Sequence, residues 1–188
     1  MFKRISLCII AGVTLISAKD VVSILPIYTR EKTVQDDRIV GAWPALFDDM
    51  FIISKTAHDY YRFELHNKDG VFVYKLYLIR TGAEDGNRYF VDLYPLTQGE
   101  QPLFESRHCI FLHSIHMITF GDGKMYAKPL NAHYFINRTD NQQAVPRTIR
   151  LSEQLLLTES TDNLREFLFS HADDDSLFLD GFEFTKKQ

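Results

Sequence analysis

Four side chains able to hold a metal, His108, Cys109, His113 and His116, fall within nine positions of this chain. Their spacing argues against a shared ion. The segment Ile110 to Phe120 reads as a strand, which rises about 3.3 Å per residue and alternates faces. On it His113 and His116 point opposite ways, and Cys109 and His113 share a face about 13 Å apart. Zinc needs its ligands at about 2.0 to 2.3 Å, so no metal site is expected, and His113 reads as a core or cavity-lining histidine.

Other candidate chemistry fails on composition or spacing. Asp173-Asp174-Asp175 with Asp180 begins like a calcium loop, but Leu177 stands where an oxygen ligand is needed and Phe178 where glycine is needed. No Gly-x-Ser-x-Gly elbow, His-Glu-x-x-His helix or phosphate-cradling glycine loop is present. The carboxylate pairs Asp48-Asp49 and Glu84-Asp85 sit in turns, where solvated surface charge is the simpler reading. No catalytic residue and no cofactor are assigned. Asn137-Arg138-Thr139 is a formal glycosylation sequon and carries no weight without a eukaryotic secretory pathway.

The elements that would position any site are mostly strands. Tyr61, Phe63 and Leu65 alternate with Arg62, Glu64 and His66, the period of a half-buried strand. Asn67-Lys68-Asp69-Gly70 then supplies a tight reversal. Val71 to Arg80 is apolar on both parities, so it is expected to be covered on both faces. Arg88 to Tyr94 makes a third antiparallel strand, which Pro95 should end because it cannot donate a ladder hydrogen bond. Phe51 to Lys55, Lys124 to Leu130 and Ala132 to Arg138 read as further strands, and Gly121-Asp122-Gly123 as a hairpin turn. Ser160 or Thr161 caps a helix running to about Ala172, with Leu164, Phe167 and Leu168 on one face. Leu177 to Lys186 returns to strand-like alternation, with Phe182 and Phe184 on one side.

Residues 1 to 18 read as a secretory signal, with Lys3-Arg4, an apolar run from Ile5 to Ile16 and Ser17-Ala18. A periplasmic or secreted product follows, with no membrane span, because the run is short of the roughly 20 residues needed. Cys8 would leave with the signal, and Cys109 then has no partner for an intramolecular disulfide. The remainder holds 19 Lys and Arg against 25 Asp and Glu, a formal net charge of −6. That balance makes nucleic acid an unsuitable partner. Residues 19 to 37 read as an arm or linker and 38 to 188 as one domain.

Gly41-x-Trp43 in the first strand, the antiparallel meander, the helix at Ser160 to Ala172 and one last strand together resemble the lipocalin-like superfamily. The resemblance runs from Arg38 to Lys186 by element order. It implies a mainly β fold: an antiparallel up-and-down β-barrel of about eight strands, its floor closed by the tryptophan, with one C-terminal helix packed outside and a final strand. The segments Tyr89 to Pro95, Leu112 to Ile115 and Leu157 to Thr161, with Leu164 and Phe167, also look like a group of uncharacterised exported bacterial proteins, which implies no activity.

Such a barrel can hold one small ligand or be filled by its own side chains. Tyr61, Phe63, Tyr74, Tyr89 and His113 are the expected lining of a site for a small apolar ligand. The alternative is a filled barrel acting through its surface as an inhibitor or envelope-assembly factor, with an unknown protein partner. An enzyme is the third and least supported reading.

Overall fold

The computed structural model describes residues 20–82, 86–98, 101–102, 111–152 and 154–187. Residues 1 to 18, read above as a secretory signal, the Glu84-Asp85 pair, His108 and Cys109 lie outside the described residues. In chain order the strands are β1 (Asp20–Ser23), β2 (Gly41–Pro44), β3 (Met50–Lys55), β4 (Tyr61–Asn67), β5 (Gly70–Arg80), β6 (Arg88–Gln98), β7 (Gln101–Pro102), β8 (His113–Gly121), β9 (Lys124–Pro129), β10 (Thr148–Arg150), β11 (Gln154–Leu157) and β12 (Phe182–Thr185). The helices are α1 (Ala132–Asp140) and α2 (Thr161–Ser170).

β2 to β6 form an antiparallel meander, each strand paired with the next. At the β4–β5 turn Asn67 Oδ1 accepts from the Asp69 amide at 2.9 Å, leaving two residues between the paired Asn67 and Gly70. At the β8–β9 turn Asp122 and Gly123 both have positive φ, 51° and 73°, the conformation that matches the twist of a two-residue hairpin. β6 does not stop at Pro95. Tyr74 faces Pro95 and Val73 faces Thr97, so Leu96 is the extra residue of a bulge that carries the strand past the missing N–H.

β8 pairs along one edge with β6 and along the other first with β1, at His113 and Ser114, and then with β9. β1 continues the sheet in parallel with β11, which pairs antiparallel with β10. β12 lies on the far edge of β9. The result is one large mixed sheet that is not closed into a continuous ladder. The edges formed by β2 and β12 nonetheless approach, since the Lys187 amide just after β12 donates to the Ala42 carbonyl of β2 at 2.9 Å.

Three further expectations are corrected. The first is all-antiparallel pairing: Asp20–Ser23, in the stretch read as an arm, is a strand whose partner β11 runs parallel. The second is the strand at Ala132 to Arg138. It is helix α1, because Asn131 caps it by accepting from the His133 amide at 3.0 Å, and Ala132 and Phe135 then fall one turn apart on the buried side. The third is the single outer helix, since α1 packs beside α2 through Phe135 and Phe167, ring centroids 6.0 Å apart. Helix α2 is where the sequence places it, with Ser160 as its cap and Leu164 and Leu168 buried.

Both faces of the central strands are covered. Phe72, Tyr74, Leu76 and Leu78 of β5 join Trp43, Phe51, Phe63 and Phe184 in one core. Tyr77 and Ile79, on the other parity, join Phe90, Ile115 and Met117 under α1, α2 and β11. Burying both faces is what a strand apolar on both parities requires, and between Val71 and Ile79 only Lys75 interrupts the apolar run.

Candidate functional site

Four of the five expected lining residues meet. Tyr61, Phe63, Tyr74 and Tyr89 are all buried in the core facing β2, β3 and β12. Their rings touch one another or their neighbours: Phe63 and Tyr74 meet edge to face at 5.6 Å, Phe51 lies 5.3 Å from both Phe63 and Phe184, and Tyr89 meets Phe120 at 6.0 Å. Protein side chains therefore occupy the space between them.

The polar tips of two of these rings converge on one carboxylate-bearing turn. The Tyr61 hydroxyl donates to the Asp36 carbonyl and accepts from the Asp36 amide at 2.6 Å. The Tyr89 hydroxyl donates to Asp36 Oδ2 and accepts from Arg38 Nη2 at 3.0 Å. Arg38 in turn pairs with Asp36 at 2.6 Å and lies over the Phe120 ring. The Arg38 guanidinium holds the Asp36 carboxyl well below the usual carboxylate range, and the Tyr89 hydroxyl adds to the effect. Trp43, buried beside this turn, donates from Nε1 to the Ile39 carbonyl at 2.8 Å. Turn and indole together stopper this end of the core. Tyr74 differs: its hydroxyl is buried without a hydrogen-bond partner, and burial pushes its pKa to about 12.

His113 is not with the other four. It projects from the opposite face of the sheet, where Nδ1 meets Asp92 Oδ1 at 2.6 Å and the Ile27 amide donates to Asp92 Oδ2 at 2.9 Å. The separation follows from strand parity, since Asp92 alternates with Val91 and Leu93 on β6 as His113 does with Ser114 on β8. His116 projects to the other face and shares a 2.8 Å hydrogen bond with Ser114, and burial lowers its pKa to about 4. Around the Asp92–His113 pair runs a row of rings: Tyr28 stacks on Tyr77 at 3.5 Å, Tyr60 lies 5.7 Å from Tyr77, and Tyr94 lies 5.0 Å from His113. Sequence reading missed this row because Tyr28 arrives from the segment taken as an arm.

A third feature was also missed. Between β2 and β3 the chain turns through Leu46 and Phe47, residues that are 54% and 83% exposed. Phe47 has φ 58° and ψ 35°, and Asp48 follows at φ 65°. The left-handed region costs a non-glycine residue about 1 to 2 kcal/mol, so this turn holds Leu46 and Phe47 in water and strains the backbone at Phe47 and Asp48. Its only sequence signal is an apolar pair, Leu46-Phe47, inside a reversal flanked by Asp48 and Asp49.

A small cleft of about 190 Å³ lies between the outer sheet face and the acidic loop after α2. There Arg88 pairs with Asp173, and Lys128 with Asp175 at 3.0 Å. The acidic run thus ties loop to sheet. Among the described residues no group of three His, Cys, Asp or Glu side chains is placed to hold a metal. Also among them, no helix is long and apolar enough to cross a membrane. Comparison of the chain with protein-family models, with curated proteins and with solved structures finds no match.

Proposed function

We propose that this chain is an exported, lipocalin-like barrel whose interior is structural and which docks a protein partner through the β2–β3 turn. The barrel reading is supported by the path β2-β3-β4-β5-β6-β8-β9-β12, eight strands whose last is brought back to the first by the Lys187–Ala42 hydrogen bond. Export rests on Lys3-Arg4, the apolar run behind it and Ser17-Ala18.

One observation carries the docking reading: Phe47 is 83% exposed on left-handed backbone. Strain of this kind persists only where surrounding structure enforces it, and here the Ala45 amide bonds the Asp49 carbonyl at 2.9 Å to close the turn. A rigid aromatic tip is the type of residue that anchors interfaces. Asp48 and Asp49 beside it favour a partner pocket that is apolar within and rimmed by Lys or Arg, and they oppose an anionic membrane surface.

The test places a photo-crosslinking amino acid at position 47 in the producing cells, with position 68 in the β4–β5 turn as control. The identified partner is then purified and titrated. The expected result is a partner captured from position 47 alone, whose affinity falls at least about tenfold in Phe47→Ala and weakens with salt. Equal capture from both positions, or equal affinity of the variant, removes the reading.

A second reading, a carrier of a small apolar ligand in the interior, is favoured by the unpartnered Tyr74 hydroxyl. A ligand bearing one polar atom would satisfy it, at the cost of moving the packed rings apart. Saturable binding of an apolar dye near one equivalent, competed by fatty acids and weakened in Tyr74→Trp, is the result this reading requires.

A further inference from the structure

We propose that the cleft between the sheet and the loop after α2 is a binding site for a small dicarboxylate, which displaces Asp173 and Asp175 from Arg88 and Lys128. Strand register builds its floor. Arg88 of β6 lies opposite Thr119 of β8, which lies opposite Tyr126 of β9, and two residues along β8 Met117 lies opposite Lys128. Residues directly opposite one another, and those two apart on a strand, share a face, so these five line one cleft, of about 190 Å³. That is room for about six waters, and a four- or five-carbon dicarboxylate, whose bonded atoms pack closer than waters do, fits it.

The chain already places two carboxylates here. Asp173 pairs with Arg88 Nη1, and Asp175 with Lys128 at 3.0 Å, yet the two aspartate side chains are 90% and 91% exposed. Pairs as exposed as these contribute little to stability, so both side chains can swing into water at small cost. The frame stays behind. The Ala172 carbonyl accepts from Arg88 Nη1 at 3.3 Å, and Asp174, between the two, is committed to the amide and the hydroxyl of Ser176.

What an outside ligand gains over the aspartates is Arg88 Nε. Among the described residues this N–H is sealed from solvent and has no hydrogen-bond partner. Leaving a buried cationic donor so is costly, and such a group marks a place where an acceptor belongs. A guanidinium grips a carboxylate with two parallel N–H donors. A free carboxylate can take Nε together with a neighbouring nitrogen, whereas Asp173, tethered to its loop, reaches Nη1.

The ligand class follows from the two cations, each of which holds a carboxylate of its own. Rooted two strands and two residues apart, Arg88 and Lys128 start about 12 Å from one another. Acidic groups a few carbons apart suit them better than one compact anion. Met117, on the strand between them, offers an apolar floor to the connecting methylenes. This site is independent of the β2–β3 turn and of the interior.

The test titrates nitrogen-15-labelled protein at constant ionic strength with glutarate, with butyrate, which keeps one acidic group, and with inorganic phosphate, following the Arg88 Nε–H resonance. In the free protein that resonance should lack the downfield shift of an N–H bound to a carboxylate. Glutarate should shift it downfield saturably, and butyrate and phosphate should bind at least tenfold more weakly. Asp173→Asn combined with Asp175→Asn should tighten glutarate binding at least threefold, because the internal competitors are gone, and Arg88→Lys should weaken it at least tenfold. The comparison of the three anions needs no variant and stands even if Arg88→Lys fails to fold. A downfield Nε–H in the free protein, no saturable shift with glutarate, butyrate or phosphate binding as tightly as glutarate, or unchanged affinity in the double variant would each overturn the proposal.

Discussion

The Tyr89 hydroxyl donates to Asp36 Oδ2 at 2.7 Å, a contact across 53 positions that ties the turn before β2 to the middle strand of the sheet. Asp36 is held ionised first by Arg38 and then by Tyr89. Its carboxyl pKa is depressed in the folded chain and ordinary, about 3.9, in the unfolded chain. The stability it contributes is present above that value and is lost as pH falls below it. Glu159, brought to about 2 by the Ser160 amide and Asn163, adds to the same window. Urea unfolding from pH 6 to pH 3 should therefore show stability falling steeply below about pH 4, with a shallower fall in Asp36→Asn. An equal pH slope in the variant would show that Asp36 is not a source of the acid sensitivity.

Phe47→Gly should stabilise the isolated protein by about 1 kcal/mol, because glycine occupies the left-handed region without penalty. The same variant should lose partner affinity. A gain in stability together with a loss in binding separates strain kept for docking from strain kept for folding, and thermal melts beside partner titrations read both.

Trp43 is the single tryptophan of the chain and is buried. Its native emission should be blue-shifted and should move red on unfolding. Trp43→Ala should cost about 3 to 5 kcal/mol, as deletion of a buried aromatic does. Emission of a water-exposed indole in the native protein would contradict the packing described.

Lys187→Pro removes the donor that links the end of β12 to Ala42. The expected loss is about 1 kcal/mol, the usual net contribution of one hydrogen bond. Amide exchange should quicken in β2 and β12 while β5 and β6 keep their protection. A global loss of protection would mean that this one contact governs the whole sheet.

What the sequence by itself determined are the elements whose signals are local. Period-two alternation placed Tyr61, Phe63 and Leu65 inward, the Asn67 to Gly70 and Gly121 to Gly123 breaks placed two hairpins, and Ser160 with Leu164 and Leu168 placed α2. Double-sided apolarity announced that β5 is covered on both faces. Parity also separated His113 from His116. Each of these follows from the neighbours of a residue in the chain and from the geometry of one strand or one helical turn.

Only the tertiary structure decided the rest. Asp20–Ser23 is four residues long, and its place between β8 and β11 depends on partners near positions 114 and 155. The short run at Ala132 became a helix because Asn131 caps it and α2 offers a surface for Phe135. The bulge at Leu96 exists because β5 continues alongside β6 and more is gained by extending that ladder than is lost at one proline. The pairing of Asp92 with His113, the approach of Tyr28 to both, and the convergence of Tyr61 and Tyr89 on Asp36 join residues 21 to 85 positions apart in sequence. Local periodicity carries no record of which side chains meet at such distances, because that is set by register, twist and the order in which strands lie side by side.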